Sequence, residues 1–122
     1  MTRIANVMTL VVALIHFYIL VLEMFLWTKP RGRRIFGMTE EFAQASRVLA
    51  ANQGLYNGFL AVGLVWSVII GGNGAAIRVF LLGCIVVAGV YGAMTMGNKR
   101  VVFIQSLPAV VAIVLTCLAY PQ

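Results

Sequence analysis

Residues 50–59 read AANQGLYNGF. Asn52, Gln53, Tyr56 and Asn57 place four hydrogen-bonding side chains almost together, and Gly54 and Gly58 stand about one helical turn apart. The stretch lies inside an apolar run long enough to cross a membrane. Water is absent at that depth, so such a cluster must find partners in the protein or in a ligand. The two glycines suit close helix contact, since a missing side chain lets backbones approach.

Working outward, Thr39 reads as an N-cap, with Glu40 and Glu41 in the first helical turn, where negative charge suits the helix dipole. The pattern predicts a helix from residue 40 to about residue 70. At 1.5 Å per residue that is roughly 45 Å, longer than a hydrocarbon core. The span proper is therefore placed at residues 47–70, with residues 40–46 in solvent or along the interface. Gly71-Gly72-Asn73-Gly74 predicts a tight turn. Three further apolar runs are long enough to span: residues 4–27, 75–96 and 101–119. The first is too long for a signal peptide and lacks a small-residue cleavage site. Trp27 suits an interfacial anchor. The last is interrupted by Gln105 and Pro108, which predict a kink. The expected fold class is an all-α membrane protein, a four-transmembrane-helix bundle forming a single integral membrane domain over residues 1–122.

Composition agrees. The chain has 122 residues, 62% of them hydrophobic, and a mean hydropathy of +1.01. That excludes an ordinary soluble domain and a disordered chain. The net charge is +6, with only three acids, Glu23, Glu40 and Glu41. Its cations punctuate the apolar runs, as membrane loops do, and offer no basic, aromatic-rich soluble surface for nucleic acid. Residues 28–38, TKPRGRRIFGM, read as a solvated loop that sets topology. Cys84 and Cys117 fall in apolar spans without a CxxC pattern, which points to packing. No Ser/His/Asp, Cys/His or phosphate-loop pattern is present.

Most polar residues within the spans fall towards the same membrane face. Glu23 lies about one turn inside Trp27, and His16 about three turns inside it. They share a helix face, as do Asn52 with Tyr56 and Gln53 with Asn57. Those four read as a polar arc facing the bundle or a cavity, and Gly54, Gly58 and Ala61 as a packing seam. An ionised carboxylate in lipid needs a partner. Glu23 is thus a proton carrier, a ligand contact or a member of an ion pair with Arg47 or Arg100. The candidate ligand-binding set is His16, Glu23, Arg47, Asn52, Gln53, Tyr56, Asn57, Tyr91, Arg100 and Gln105. Glu23 and His16 alone do not make a metal site.

The chain resembles the small bacterial integral membrane proteins of domain-of-unknown-function family 1304. The residues that carry the resemblance are His16 with Glu23, Trp27-Thr-Lys-Pro-Arg-Gly-Arg, Asn52-Gln-Gly-Leu-Tyr-Asn-Gly and Gln105-Ser-Leu-Pro. The resemblance implies a four-helix membrane fold and brings no established activity. A weaker resemblance is to the membrane-associated proteins of eicosanoid and glutathione metabolism, four-helix trimers whose second helix carries Arg-x-x-x-Asn-x-x-Glu. Arg47 stands one residue out of that register with Asn52, Leu55 takes the glutamate position, and Tyr56 follows it. Tyr91 and Arg100 match that family's later tyrosine and arginine. This resemblance implies glutathione as the cofactor of a transferase-like enzyme.

The leading functional expectation is a cytoplasm-facing intramembrane site for a small polar or amphipathic ligand, in a binding or transport role. The rivals are the glutathione-transferase-like enzyme and a structural subunit whose polar residues hold helices together. The expected partners are the lipid bilayer, a small-molecule ligand and further copies of the chain, with no nucleic acid. Residues 28–38 and 97–100 carry Lys29, Arg31, Arg33, Arg34, Lys99 and Arg100, and Arg47 lies near the same side. Only Arg3 and Arg78 are expected on the other face. The positive-inside rule then places both loops in the cytoplasm of a bacterial cell and both termini outside its inner membrane. Reporter fusions should find the region of Arg33 cytoplasmic and the end of the chain exported. The reverse pattern would refute this topology.

Overall fold

The structure is a computed structural model that describes residues 1–97 and 99–121. Its elements are α1 (Thr2–Met24), α2 (Pro30–Phe36), α3 (Glu40–Ile69), a 3₁₀ turn (Gly71–Gly74), α4 (Ala75–Met96), a π-helical turn (Val102–Ser106) and α5 (Leu107–Ala119). Asn98, in the expected basic turn, and Gln122, the last residue, lie outside the described residues. The fold is all-α, with no strand among the described residues. Among the described residues, four helical segments are long and apolar enough to cross a membrane: Thr2–Met24, Glu40–Ile69, Gly71–Met96 and Val102–Ala119. Large apolar side chains such as Leu14, Leu49, Val62, Phe80 and Val87 point outward. The buried positions are instead rich in alanine and glycine, with polar side chains among them. That inversion of the soluble pattern suits a lipid solvent and close helix packing.

Thr39 caps α3 as expected: its Oγ1 accepts a hydrogen bond from the Phe42 backbone N–H at 3.2 Å. Three boundaries differ from expectation. The first helix ends at Met24 rather than Trp27, because the Phe25 and Leu26 N–H groups both turn back to the Val21 carbonyl, at 3.0 and 3.2 Å. Residues 28–38, expected as a loop, contain α2. Pro30 opens it, where its missing N–H costs nothing, and Gly37 closes it at a left-handed φ of 64°. The Met38 N–H then reaches the Arg33 carbonyl at 2.9 Å. In the last segment the kink expected near Pro108 is a π-helical turn in which the Leu107 N–H bonds to the Val102 carbonyl. Proline cannot donate in the ordinary ladder and crowds the carbonyl four residues back, and the wider turn relieves both.

By its internal contacts the chain divides into two compact units, residues 1–14 with 62–122, and residues 15–61. Both α1 and α3 contribute to each. In the first unit α4 packs against α5 and the π turn. Ser106 sits against Gly89, where any Cβ would overlap its hydroxyl, and that Oγ donates to the Val86 carbonyl at 3.2 Å. The largest fully buried side chain is Arg78, expected from sequence to lie near the membrane face opposite the basic loops. Side chains lean towards a helix N-terminus, so from the first turns of α4 it folds back over the 3₁₀ turn. Its Nη2 donates to the Ser67 carbonyl at 3.1 Å, its Nε to Ser67 Oγ at 3.4 Å and its Nη1 to Asn6 Oδ1 at 3.0 Å. Tyr120 faces the same guanidinium, with its ring centroid 5.7 Å away. A cation thus closes the negative end of α3 and takes up a carbonyl left without an intrahelical donor.

In the second unit Gly54 and Gly58 of α3 face α1. A Cβ on Gly54 would lie 2.6 Å from Met24 Cγ and 3.1 Å from Glu23 Cβ, and one on Gly58 2.5 Å from Leu20 Cδ1. These positions bear out the packing seam, and Ala61 is buried in the same unit. Trp27 donates from Nε1 to Ser46 Oγ at 3.0 Å and packs in a tilted contact with Phe36, ring centroids 4.9 Å apart. Gly32 lies against the Leu26 carbonyl, where no Cβ would fit.

Two stability outcomes follow. Gly54→Leu should destabilise by at least about 1–3 kcal/mol, because the new side chain enters backbone-contact space. A melting curve in detergent identical to the wild type would show that the seam is not needed. Arg78→Ala should cost about 3 kcal/mol through lost charged hydrogen bonds and the space vacated. The exposed Arg3→Ala should stay within about 0.5 kcal/mol. Thermal denaturation of both variants tests the contrast, and equal melts would refute the capping role of Arg78.

Candidate functional site

Polar chemistry in the second unit centres on Glu23, in the last turn of α1. The side-chain-free surface at Gly54 and Gly58 brings α3 against Leu20, Glu23 and Met24. Asn57, three residues beyond Gly54, then reaches the carboxylate: its Nδ2 donates to Glu23 Oε2 at 2.9 Å. The same Nδ2 donates to the Gln53 carbonyl at 3.1 Å, one turn back in α3. Both amide hydrogens are therefore used, and Asn57 Oδ1 is left as an acceptor. Among the described residues, Glu23 Oε1 receives no hydrogen bond. Glu23 and Asn57 are both partly exposed, and these two oxygens are the acceptor edge that remains on the pair. An ionised carboxylate accepts only, so the edge is complementary to groups that donate hydrogen bonds or carry positive charge.

The other expected residues separate around this pair. His16 is buried and has a partner of its own. Asn52 and Gln53 expose their side chains, and Tyr56 is 60% exposed with its ring edge-on to Phe59. The polar arc expected to face inward thus divides: Asn57 turns to Glu23, and the other three look outward. A helix turns 100° per residue, so consecutive amides cannot all face one neighbour. Arg47 is exposed, and the partner of Glu23 in this unit is an amide rather than that guanidinium.

Tyr91, Arg100 and Gln105 belong to the first unit. Tyr91 is 68% exposed, Arg100 is exposed and has a partner, and Gln105 is half-buried within the π turn. Among the described residues, no group of three His, Cys, Asp or Glu side chains stands together as a metal site. Sequence reasoning missed the Arg78–Ser67–Asn6 cluster. The available signal was an arginine inside an apolar helix, just after a tight turn, where the last carbonyls of the preceding helix lack donors.

Comparison with known proteins agrees on lineage and is silent on activity. Residues 10–117 match the family described as "Protein of unknown function (DUF1304)". The chain is similar to a protein of Lactococcus lactis subsp. lactis (strain IL1403) named "Uncharacterized protein YpaA", with 34% identity over 116 residues, 93% of this chain and 97% of that one. No solved structure matches the chain. With the match covering nearly all of its helices, this chain belongs to the DUF1304 family.

Proposed function

We propose that this chain is a multi-pass membrane protein that takes a small, hydrogen-bond-donating ligand at Glu23 and Asn57, in a binding or transport role. The observation that carries the reading is the Asn57 Nδ2 to Glu23 Oε2 hydrogen bond of 2.9 Å within apolar spanning helices. A carboxylate in such surroundings is expensive unless it is used, and intramembrane acids mark substrate or ion pathways. The amide steadies one oxygen, and the acceptor edge offers Glu23 Oε1 and Asn57 Oδ1 to an ammonium or hydroxyl group. Charge asymmetry supports a place in a bacterial inner membrane, with residues 28–38 cytoplasmic, both termini outside and the site in the cytoplasmic half. The exposed Asn52, Gln53 and Tyr56 would need partners at that depth, which a ligand or a second copy of the chain would supply.

The test pairs stability with binding in one variant. Glu23→Gln keeps the shape and a hydrogen-bonding group but removes the charge. Full-length protein in nanodiscs is titrated with a panel of small primary amines, and melting is recorded in parallel. We expect the wild type to bind at least one amine and Glu23→Gln to bind it at least about tenfold more weakly, with a melting temperature near wild type. Equal binding by the variant, or no amine bound by the wild type, would refute the reading.

A further inference from the structure

We propose that Tyr18 of α1 and Arg31, in the first turn of α2, form a binding site for the phosphate of an anionic phospholipid. The inference rests on the chain crossing a membrane, but not on the Glu23 ligand site, so either can fail alone. Residues 29–34 hold Lys29, Arg31, Arg33 and Arg34, and residues 24–39 contain no acid. Arg33 is matched from outside this stretch, with its Nη1 3.5 Å from Glu40 Oε2. Lys29, Arg31 and Arg34 remain exposed, with no carboxylate partner among the described residues.

These charges are held in place. Gly32 seats α2 on the Leu26 backbone, Phe36 lies under Trp27, and Trp27 is tied to Ser46. From this fixed base the exposed Arg31 side chain reaches Tyr18 of α1. Its Nε and Nη2 both donate to the Tyr18 hydroxyl oxygen, at 3.2 and 3.1 Å, and its guanidinium carbon is 6.0 Å from that ring centroid. Tyr18 lies six residues before the end of α1, roughly 9 Å along the helix, and is 42% exposed. The hydroxyl accepts both N–H groups but brings no negative charge. Its own hydrogen and the Arg31 Nη1 hydrogens remain as donors on an exposed surface, the geometry that a tetrahedral oxyanion accepts.

The surroundings select the occupant. Phe25, Ile35 and Phe42 are all exposed in the same unit as the cations, and Phe25 and Ile35 are close to them in sequence. Basic residues beside a spanning helix with apolar neighbours match the level where phosphates meet acyl chains. A soluble acidic protein or a nucleic acid would leave those apolar groups in water, whereas a phospholipid engages both.

The experiment uses the full chain in nanodiscs of phosphatidylcholine alone or mixed with phosphatidylglycerol. Native mass spectrometry counts retained lipids, and thermal melts are recorded in both membranes. We expect the wild type to retain phosphatidylglycerol in preference and to melt higher in the mixed membrane. Arg31→Gln should weaken that preference about fivefold, the effect of one cation at an anionic surface. Tyr18→Phe changes no charge and keeps the ring, and should weaken it about threefold, the effect of one hydrogen bond. It also serves if Arg31→Gln does not fold. Wild-type indifference to phosphatidylglycerol would overturn the proposal. So would full wild-type preference in Tyr18→Phe, or a fall in its melting temperature that is equal in both membranes, which would mark the contact as a structural strut.

Discussion

The approach of α3 to α1 at Gly54 and Gly58 is the contact on which the Glu23–Asn57 pair depends. A Cβ at Gly54 would crowd both Met24 and Glu23, so the helices meet only because that position carries no side chain. Asn57 reaches Glu23 as a consequence, and the amide is fixed because its second hydrogen returns to the Gln53 carbonyl. Packing and chemistry thus share one cause. In a soluble protein such a seam could be closed by apolar burial alone. In lipid the apolar surroundings give no such drive, and close backbone contact with side-chain hydrogen bonds must supply the affinity between helices.

The first unit satisfies the same constraint differently. Ser67 and Arg78 bracket the 3₁₀ turn, and the guanidinium supplies donors to the end of α3. Ser67 Oγ in turn donates to the Leu64 carbonyl at 2.6 Å. Thr9 and Thr116 return their hydroxyls to carbonyls one turn back in their own helices, at 2.8 and 2.7 Å. Small hydroxyl residues can therefore be buried in this core without leaving a donor unpaired. Arg78 is the costly member, since it carries a full charge into the core. It is held by neutral acceptors, a helix end and an aromatic face, each of which favours positive charge.

Membership of the DUF1304 family ties this geometry to a lineage without telling its chemistry. The local arrangement has to carry any functional argument. Two polar pairs stand out, Glu23–Asn57 and Tyr18–Arg31, and they differ in sign. One offers acceptors, the other donors. That difference makes it unnatural to treat the chain's polar residues as a single site.

The sequence by itself determined the helical class, the four long apolar segments, the Thr39 cap and the glycine seam. Each is set by local periodicity or by the absence of a side chain, and both are visible in a string of residues. Glu23 and Asn57 were legible as candidates because polar groups in an apolar run are few. Only the tertiary structure decided that they meet, and that Asn52, Gln53 and Tyr56 turn outward. Neighbouring positions on one helix point in different directions, and the partner helix chooses among them. The helix within residues 28–38 was obscured by its proline and glycines, which usually break helices but here start, seat and end one. Arg78 escaped for a related reason. Charge near the end of a span predicts exposure, and its burial became favourable only once the turn at residues 71–74 folded the end of α3 within reach of its guanidinium.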